Sequence, residues 1–254
     1  VRELVPMRNA REPELDCRWI LRRKPDGSYK ARIVARGFHQ QHGIDFDRNR
    51  TYAPVAKSST VRLMLALAAK LNLKMKQLDF NSAFLNAQLD TPILVKPPKG
   101  VDSGFYWRLN RAVYGLKQAP RAWYETLKEQ IEKFGLEQSL VDPSLFYSND
   151  IYLVIYVDDL LFFGKSDEDL ERCVRYLSKH FTLKEFDQVE RYVGVEIVSK
   201  EDCIEVNQSE YIRQLAEQYN MLDAKAVSTP IATYDNFADC ELNPNVPVRS
   251  LIGS

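Results

Sequence analysis

The stretch that most constrains this chain is Tyr156-Val157-Asp158-Asp159, set between the apolar runs 151–156 and 160–163, with Lys165 and Ser166 just beyond. Both flanks are rich in Ile, Leu, Val, Phe and Tyr, which predicts two short buried strands. Joined by a tight Asp-containing turn, they make a β-hairpin whose arms anchor in a core and whose tip carries adjacent carboxylates. Two carboxylates at close range repel by about 4 kcal/mol at an effective dielectric of about 20. A cation relieves that repulsion. Oxygen-only ligands on a rigid hairpin suit Mg²⁺, which binds one or two carboxylates and fills its shell with water and substrate phosphates. A bare Asp-Asp pair also reads as a plain turn; the apolar flanks and a further aspartate, Asp79, weigh against that.

Asp79 closes the run Met75-Lys76-Gln77-Leu78-Asp79-Phe80, which predicts a strand entering the core, and residues 81–85 turn out of it. An aspartate at a strand end has two readings: it caps a following helix, or it is a third ligand facing the hairpin.

The remaining chain predicts an α+β domain. Residues 1–16 read as polar and irregular. Residues 19–24 and 29–36 read as a hairpin bent at Pro25-Asp26-Gly27-Ser28, with Lys30, Arg32 and Arg36 alternating with Ala31, Ile33 and Ala35. Such a cationic face suits a triphosphate or a nucleic-acid backbone. Residues 37–51 read as a loop anchored by Phe38, Ile44 and Phe46, with His39 and His42 on its surface. Ser58 or Ser59 is the expected cap of a helix running to about residue 71. Residues 91–98 are extended, broken by proline, and suit a sheet edge. Gly115 and Pro120 mark a turn before a helix over 121–134 that faces Trp123, Leu127, Ile131 and Phe134 inward and stops at Gly135. Lys117 and Arg121 at its start suit a phosphate or a template. Ser166-Asp167-Glu168-Asp169 predicts a capping box for a helix to about residue 180. Strands are expected near 182–186, 192–198 and 204–206, a helix over 209–220, and a proline-rich tail over 228–254. No Walker or GxGxxG glycine loop is present, which disfavours P-loop and Rossmann folds.

Composition narrows the class. The 254 residues are 45% hydrophobic and 28% charged, with 35 basic and 35 acidic side chains, so the chain is no histone-like polycation. Charge is uneven, however: residues 2–36 carry ten Arg or Lys against five acids, and a local basic face contacts phosphates even on a neutral molecule. Cys17, Cys173, Cys203 and Cys240 lack zinc spacing and read as free thiols of a reducing compartment. No apolar run is long enough for a bilayer span. A start at Val1 is expected of a fragment or a processed product.

Several stretches together resemble the reverse transcriptase of copia-type long-terminal-repeat retrotransposons. They are residues 29–38, the segment Gln77-Leu78-Asp79-Phe80-Asn81-Ser82-Ala83-Phe84-Leu85-Asn86, and Tyr114-Gly115-Leu116-Lys117-Gln118-Ala119-Pro120-Arg121-Ala122-Trp123-Tyr124. Tyr156-Val157-Asp158-Asp159, residues 192–197 and Ser228-Thr229-Pro230 complete the set, in the family's order and over almost the whole chain. The resemblance implies a right-hand polymerase fold of fingers, palm with an antiparallel sheet backed by helices, and a partial thumb. Residues 1–227 would form that unit, and 228–254 a truncated connection segment leading toward an RNase H domain outside this chain. By the same resemblance Asp79, Asp158 and Asp159 are the catalytic carboxylates. Asp79 and Asp158 would bridge two Mg²⁺ ions, for which Mn²⁺ can substitute, with the Phe80 carbonyl assisting and Asp159 supporting. Phe84 resembles the aromatic gate beside the sugar 2′ position, and Gly115, Gln118 and Pro120 the segment lining the nascent base pair. Lys30 and Arg32 resemble triphosphate-binding residues, residues 192–195 the primer grip, and Lys184 the acid for pyrophosphate. The implied partners are an RNA template, a DNA or tRNA primer, dNTPs, and other Pol products or a second copy. The implied locations are the cytoplasm, in a virus-like particle, and the nucleus, with no membrane association. Two other readings stay open: a catalytically inactive remnant that keeps the fold and binds nucleic acid, and an RNA-dependent RNA polymerase, which Phe84 disfavours.

Overall fold

The computed structural model describes residues 2–9, 15–24, 27–101 and 104–228. In chain order the strands and helices are β1 (Arg2–Pro6), β2 (Cys17–Arg23), β3 (Tyr29–Ala35), α1 (Ser58–Leu71), β4 (Lys74–Phe80), β5 (Gln88–Val95), β6 (Phe105–Arg111) and α2 (Ala119–Phe134). They continue as β7 (Glu137–Gln138), β8 (Leu145–Tyr147), β9 (Ile151–Tyr156), β10 (Asp159–Gly164), α3 (Asp167–Ser178), β11 (Leu183–Phe186), β12 (Arg191–Tyr192), β13 (Val195–Ser199), β14 (Ile204–Asn207) and α4 (Ser209–Gln218).

The centre is a six-stranded antiparallel sheet in the order β11-β4-β10-β9-β8-β7. Strand alternation divides its side chains between two cores. Leu78, Phe80, Leu153, Ile155, Leu160 and Phe162 face α2 and α3. Val154, Leu161 and Phe163 face α1, Tyr192 and Ile197. This explains why β9 and β10 read as continuous apolar runs: both of their faces are buried. A second sheet, β1-β6-β5, and a third, β12-β13-β14, flank the centre, and β2-β3 forms a separate hairpin.

Several expectations change. Residues 2–6 are not irregular. They pair with β6 from Arg2↔Leu109 to Pro6↔Phe105, and the Arg2 guanidinium lies 3.7 Å from the Trp107 ring centroid. An edge strand needs only one polar-tolerant partner, so its own pattern is weak. The short strands β7 and β8 were not read at all. Strand β5 starts at Gln88 rather than 91, and helix α2 starts at Ala119 with Pro120 in its first turn. Phe134 is only partly buried, and α3 ends at Ser178. Residues 192–198 are not one strand: the positive φ of Val193 and Gly194 folds them into the β12–β13 hairpin. Phe38 and Ile44 do not anchor the 37–51 loop; they are exposed, and the buried polar Gln40 holds it instead. Helix α1 is capped by neither serine. Its N-cap is Lys57, and Asp142 satisfies that end from a distant loop, accepting from Lys57 N–H at 3.3 Å and from Thr60 Oγ1 at 2.5 Å. The Ser166 capping box is as expected, with Asp169 N–H donating to Ser166 Oγ at 3.2 Å. The bend at Pro25-Asp26 and the tail over 229–254 lie outside the described residues.

Candidate active site

The carboxylates come together through strand register. Antiparallel pairing of β10 with β4 sets Asp159 opposite Asp79, and pairing of β11 with β4 sets Lys184 opposite Asp79. Residues directly opposite share a face, so Lys184, Asp79 and Asp159 form a row across three strands. Asp158 occupies the two-residue β9–β10 loop beside them, and its carbonyl accepts from Phe80 N–H at 3.2 Å. Asp79 therefore faces the hairpin and caps no helix; the short 3₁₀ turn after it has Ser82 at its N-cap position.

The loop is strained. Val157, its first residue, has φ +58°, a left-handed conformation that favours glycine and that a β-branched residue adopts at a cost of about 1–3 kcal/mol. The Trp123 indole Nε1–H donates to the Val157 carbonyl at 2.8 Å. From the other side, the buried Tyr192 hydroxyl donates toward Val154 O at 3.0 Å, with Asp159 O 3.3 Å away.

The electrostatics follow from crowding. Burial, then the charge of Asp158, raises the Asp79 carboxyl above its ordinary range, opposed by Lys30 and Lys184. Burial, then Asp158 and Asp79, pushes Asp159 up to about 6. A site that resists holding its own negative charge has the character of a cation site. Among the described residues no three His, Cys, Asp or Glu side chains converge as a closed metal cluster. The donor set is an open one of hard carboxylate oxygens, and it fits Mg²⁺, which needs one or two carboxylates and completes its octahedron with water and phosphate oxygens.

Two lysines, Lys30 and Lys184, act on Asp79. Lys30 on β3 is close enough to Asp79 to oppose its shift. Arg32 lies 4.8 Å from the Tyr114 ring centroid, and Tyr114 packs edge-on against Phe84 with centroids 4.6 Å apart. Burial, then the charge of Asp158, raises the Tyr114 phenol, opposed by Arg32. Phe84 is 8% exposed, so it stands behind Tyr114 rather than free in the cleft. Gly115 is needed for contact: its φ is +92°, and a Cβ there would sit 2.0 Å from Ala35 O.

Gln118 is engaged at both ends of its amide, accepting from Gln40 Nε2 at 2.9 Å and donating to Asp45 O at 3.0 Å. Lys117 N–H donates to Gln40 Oε1 at 2.8 Å and Lys117 Nζ to Gln40 O at 3.1 Å. These bonds clamp the 37–51 loop onto the start of α2, while Arg121 Nε is spent on Glu125 within the helix at 2.7 Å.

The profile of the family described as reverse transcriptase (RNA-dependent DNA polymerase) matches residues 3–233. The chain belongs to the reverse transcriptase family. It is 38% identical to the retrovirus-related Pol polyprotein from transposon RE2 of Arabidopsis thaliana over 99% of its length, which is 18% of that polyprotein. It is 35% identical to the corresponding polyprotein from transposon TNT 1-94 of Nicotiana tabacum over 91% of its length, again 18% of the relative. Among solved structures it resembles apo telomerase from Candida tropicalis truncated from its C-terminal domain, with a TM-score of 0.45 and 13% identity over 80% of this chain and 57% of that one.

In this reverse transcriptase domain the strand register brings Asp79, Asp158, Asp159 and Lys184 together, with Phe80 alongside. Lys30 and Arg32 sit on β3, Phe84 packs on Tyr114, and Gly115 meets Ala35 O at the end of β3. Gln118 and Pro120 sit at the start of α2, at the clamp. Sequence reading missed Tyr114, Gln40 and the indole of Trp123. Trp123 carried only a core signal, from its spacing with Leu127 and Ile131. A buried Gln in a polar loop leaves no periodic trace at all.

Proposed function

We propose that this chain is an RNA-directed DNA polymerase that transfers a deoxynucleotide to a primer 3′-hydroxyl, as the reverse transcriptase part of a longer Pol polyprotein. The observation that carries the reading is the β4–β10 register, which makes one charge cluster of Asp79 and the Asp158-Asp159 hairpin. In this reading β2–β3 forms the fingers, the six-stranded sheet with α1–α3 the palm, and β12–β14 with α4 the start of a thumb. Residues 1–227 make up that right hand, and 228–254 lead toward a connection.

Asp79 and Asp158, with the Phe80 carbonyl, are the groups that would hold two divalent ions, and Asp159 would support them. When bound, the ions supply activation of the primer hydroxyl and charge neutralisation on the leaving pyrophosphate. Lys30 and Arg32 neutralise the incoming triphosphate and orient its α-phosphorus toward the primer. Lys184, in line with Asp79, donates a proton to the departing pyrophosphate. Phe84, braced by Tyr114, closes the space beside the sugar C2′ and selects deoxynucleotides. Gly115, Gln118 and Pro120 shape the floor for the nascent base pair, with Gln118 held by Gln40 and Asp45. The turn Val193-Gly194, which shares a cavity with Tyr156 and Asp159, guides the primer end. Base pairing with the template supplies sequence, so the protein needs only contacts to the backbone and to the shape of the hybrid.

Primer extension tests the reading: poly(rA) template, oligo(dT) primer, dTTP and Mg²⁺, with wild type beside Asp158→Asn. The expected result is extension by wild type that Mn²⁺ also supports and that Asp158→Asn lacks. No extension by a folded wild-type chain would favour the inactive remnant instead.

A further inference from the structure

One side chain touches both segments that carry the carboxylates. Trp123 is 1% exposed. Its ring meets Phe80, the residue after Asp79, edge-on at 4.7 Å between centroids, and Phe181 at 5.4 Å; Phe80 and Phe181 meet at 5.3 Å. The three rings stand at 76° to 86° to one another, the edge-to-face geometry that aromatic quadrupoles favour. The same indole donates its only hydrogen bond to the carbonyl of Val157, the residue before Asp158. The ring thus fixes the end of β4, and the N–H fixes the tip of the hairpin.

That N–H lands on the strained residue. At φ +58° Val157 would relax if released, and the peptide it shares with Asp158 would turn with it. Core packing alone does not call for an indole here, because a buried N–H costs free energy unless it finds a partner. The hydrogen bond is aimed at the carbonyl of the peptide that leads into Asp158.

We propose that Trp123 is a positioning residue which, through its indole N–H, holds the Val157-Asp158 loop in its left-handed conformation and so sets the placement of Asp158 against Asp79. The proposal deepens the polymerase reading and rests on it for its consequence in catalysis. Its structural half stands independently.

The test uses the full chain and four proteins: wild type, Trp123→Phe, Val157→Gly and the double variant. Trp123→Phe keeps one aromatic ring in the cluster and drops the N–H, leaving a small cavity where the pyrrole ring sat, whereas Val157→Gly removes the reason the loop must be held; the cavity cost is the same in both backgrounds, so only the loss of the hold changes between them. The first readout is amide exchange of Phe80 N–H, which donates to Asp158 O at 3.2 Å. It is expected to exchange faster in Trp123→Phe than in wild type, with the Leu78 and Leu160 amides unchanged. The second is Mn²⁺ affinity by electron paramagnetic resonance, expected to fall about tenfold or more in Trp123→Phe, as for the loss of an outer-shell partner. The third is kinetic: kcat falls while the KM for dTTP stays within about twofold, and the loss shrinks when the substitution is made in the Val157→Gly background. Equal losses in both backgrounds, or unchanged Phe80 exchange and Mn²⁺ affinity in Trp123→Phe, would overturn the proposal. If Trp123→Phe does not fold, the wild-type indole decides. The chain has three tryptophans, and the Trp123 Nε1–H must be the slowest of their indole protons to exchange with solvent; fast exchange refutes the hold. A wild type that neither extends primers nor binds Mn²⁺ would sink the polymerase reading, while the exchange measurements would still judge the hold.

Discussion

At the scale of single residues, the site is built from charges that the fold itself penalises. Asp79 and Asp159 are both shifted upward, Asp159 to about 6, by burial first and then by the charge of Asp158. Removing one of those charges should therefore help the metal-free fold and harm the chemistry. In EDTA at pH 7.5, Asp159→Asn is expected to melt a few degrees above wild type, and Mg²⁺ with template-primer and dTTP is expected to stabilise wild type more than the variant. A variant that melts below wild type in EDTA would contradict the crowding argument. Phe84 gives a second prediction. Because it is buried against Tyr114 rather than standing free, Phe84→Val removes the wall and the ring contact that braces it. Steady-state kinetics should show UTP incorporation rising relative to dTTP by about tenfold or more, the scale of one well-placed steric contact. An unchanged ratio would remove Phe84 from the gate. These carboxylates were legible in sequence because a plain turn accounts poorly for two aspartates between apolar runs when a third aspartate ends another apolar strand. Tyr114 and Trp123 were not, since a buried aromatic at helical or strand spacing looks the same whether it merely packs or also aims a hydrogen bond.

At the scale of elements, two joints decide whether the site assembles. One is Asp142, 3% exposed, which accepts from Thr60 Oγ1 at 2.5 Å, from Ser144 N–H at 2.9 Å and from Lys57 N–H at 3.3 Å. It caps α1 and ties it to the loop before β8. Burial works against its charge, but these hydrogen bonds outweigh burial and hold the carboxyl below its usual range. Asp142→Ala strands three donors and should cost about 3 kcal/mol in urea unfolding. The sign with pH follows from the depressed value: the stabilisation is present above the unfolded pKa of about 3.9 and is lost as pH falls through the lower folded value. Acid titration should show wild type losing its advantage over Asp142→Ala below about pH 4; a constant gap would contradict this. The other joint is the docking of the β2–β3 hairpin, where Ala35 N–H donates to Tyr114 O at 2.8 Å and Gly115 leaves no room for a Cβ. Gly115→Ala should loosen the hairpin, speed its proteolysis and raise the KM for dTTP several-fold as Lys30 and Arg32 lose their place. Wild-type proteolysis rates would refute the docking. Hairpins and amphipathic helices were readable from periods of 2 and 3.6. The cap from Asp142, 82 residues from Thr60, is a long-range contact that no local pattern encodes, and the β12–β13 bend depends on a valine at positive φ that local preference disfavours.

At the scale of the whole molecule, a chain of zero formal net charge still concentrates cations beside its carboxylates. Lys30 and Arg32 sit on one hairpin facing the carboxylates, and Lys184 reaches the same row from the opposite edge of β4. The element order was largely visible in the sequence, and so were the motifs that mark the family. The register was not: nothing local states that Asp79 pairs with Asp159 rather than a neighbour, and a slip by one residue would turn the aspartate to the other face. That register is the central claim. Single-nucleotide incorporation with Asp79→Asn, titrated with Mg²⁺, tests it most directly. The account predicts a fall in kcat of about a thousandfold or more, the scale of losing a principal electrostatic group, with an undiminished melting temperature. Incorporation by Asp79→Asn near the wild-type rate would show that Asp79 and the hairpin do not form one site.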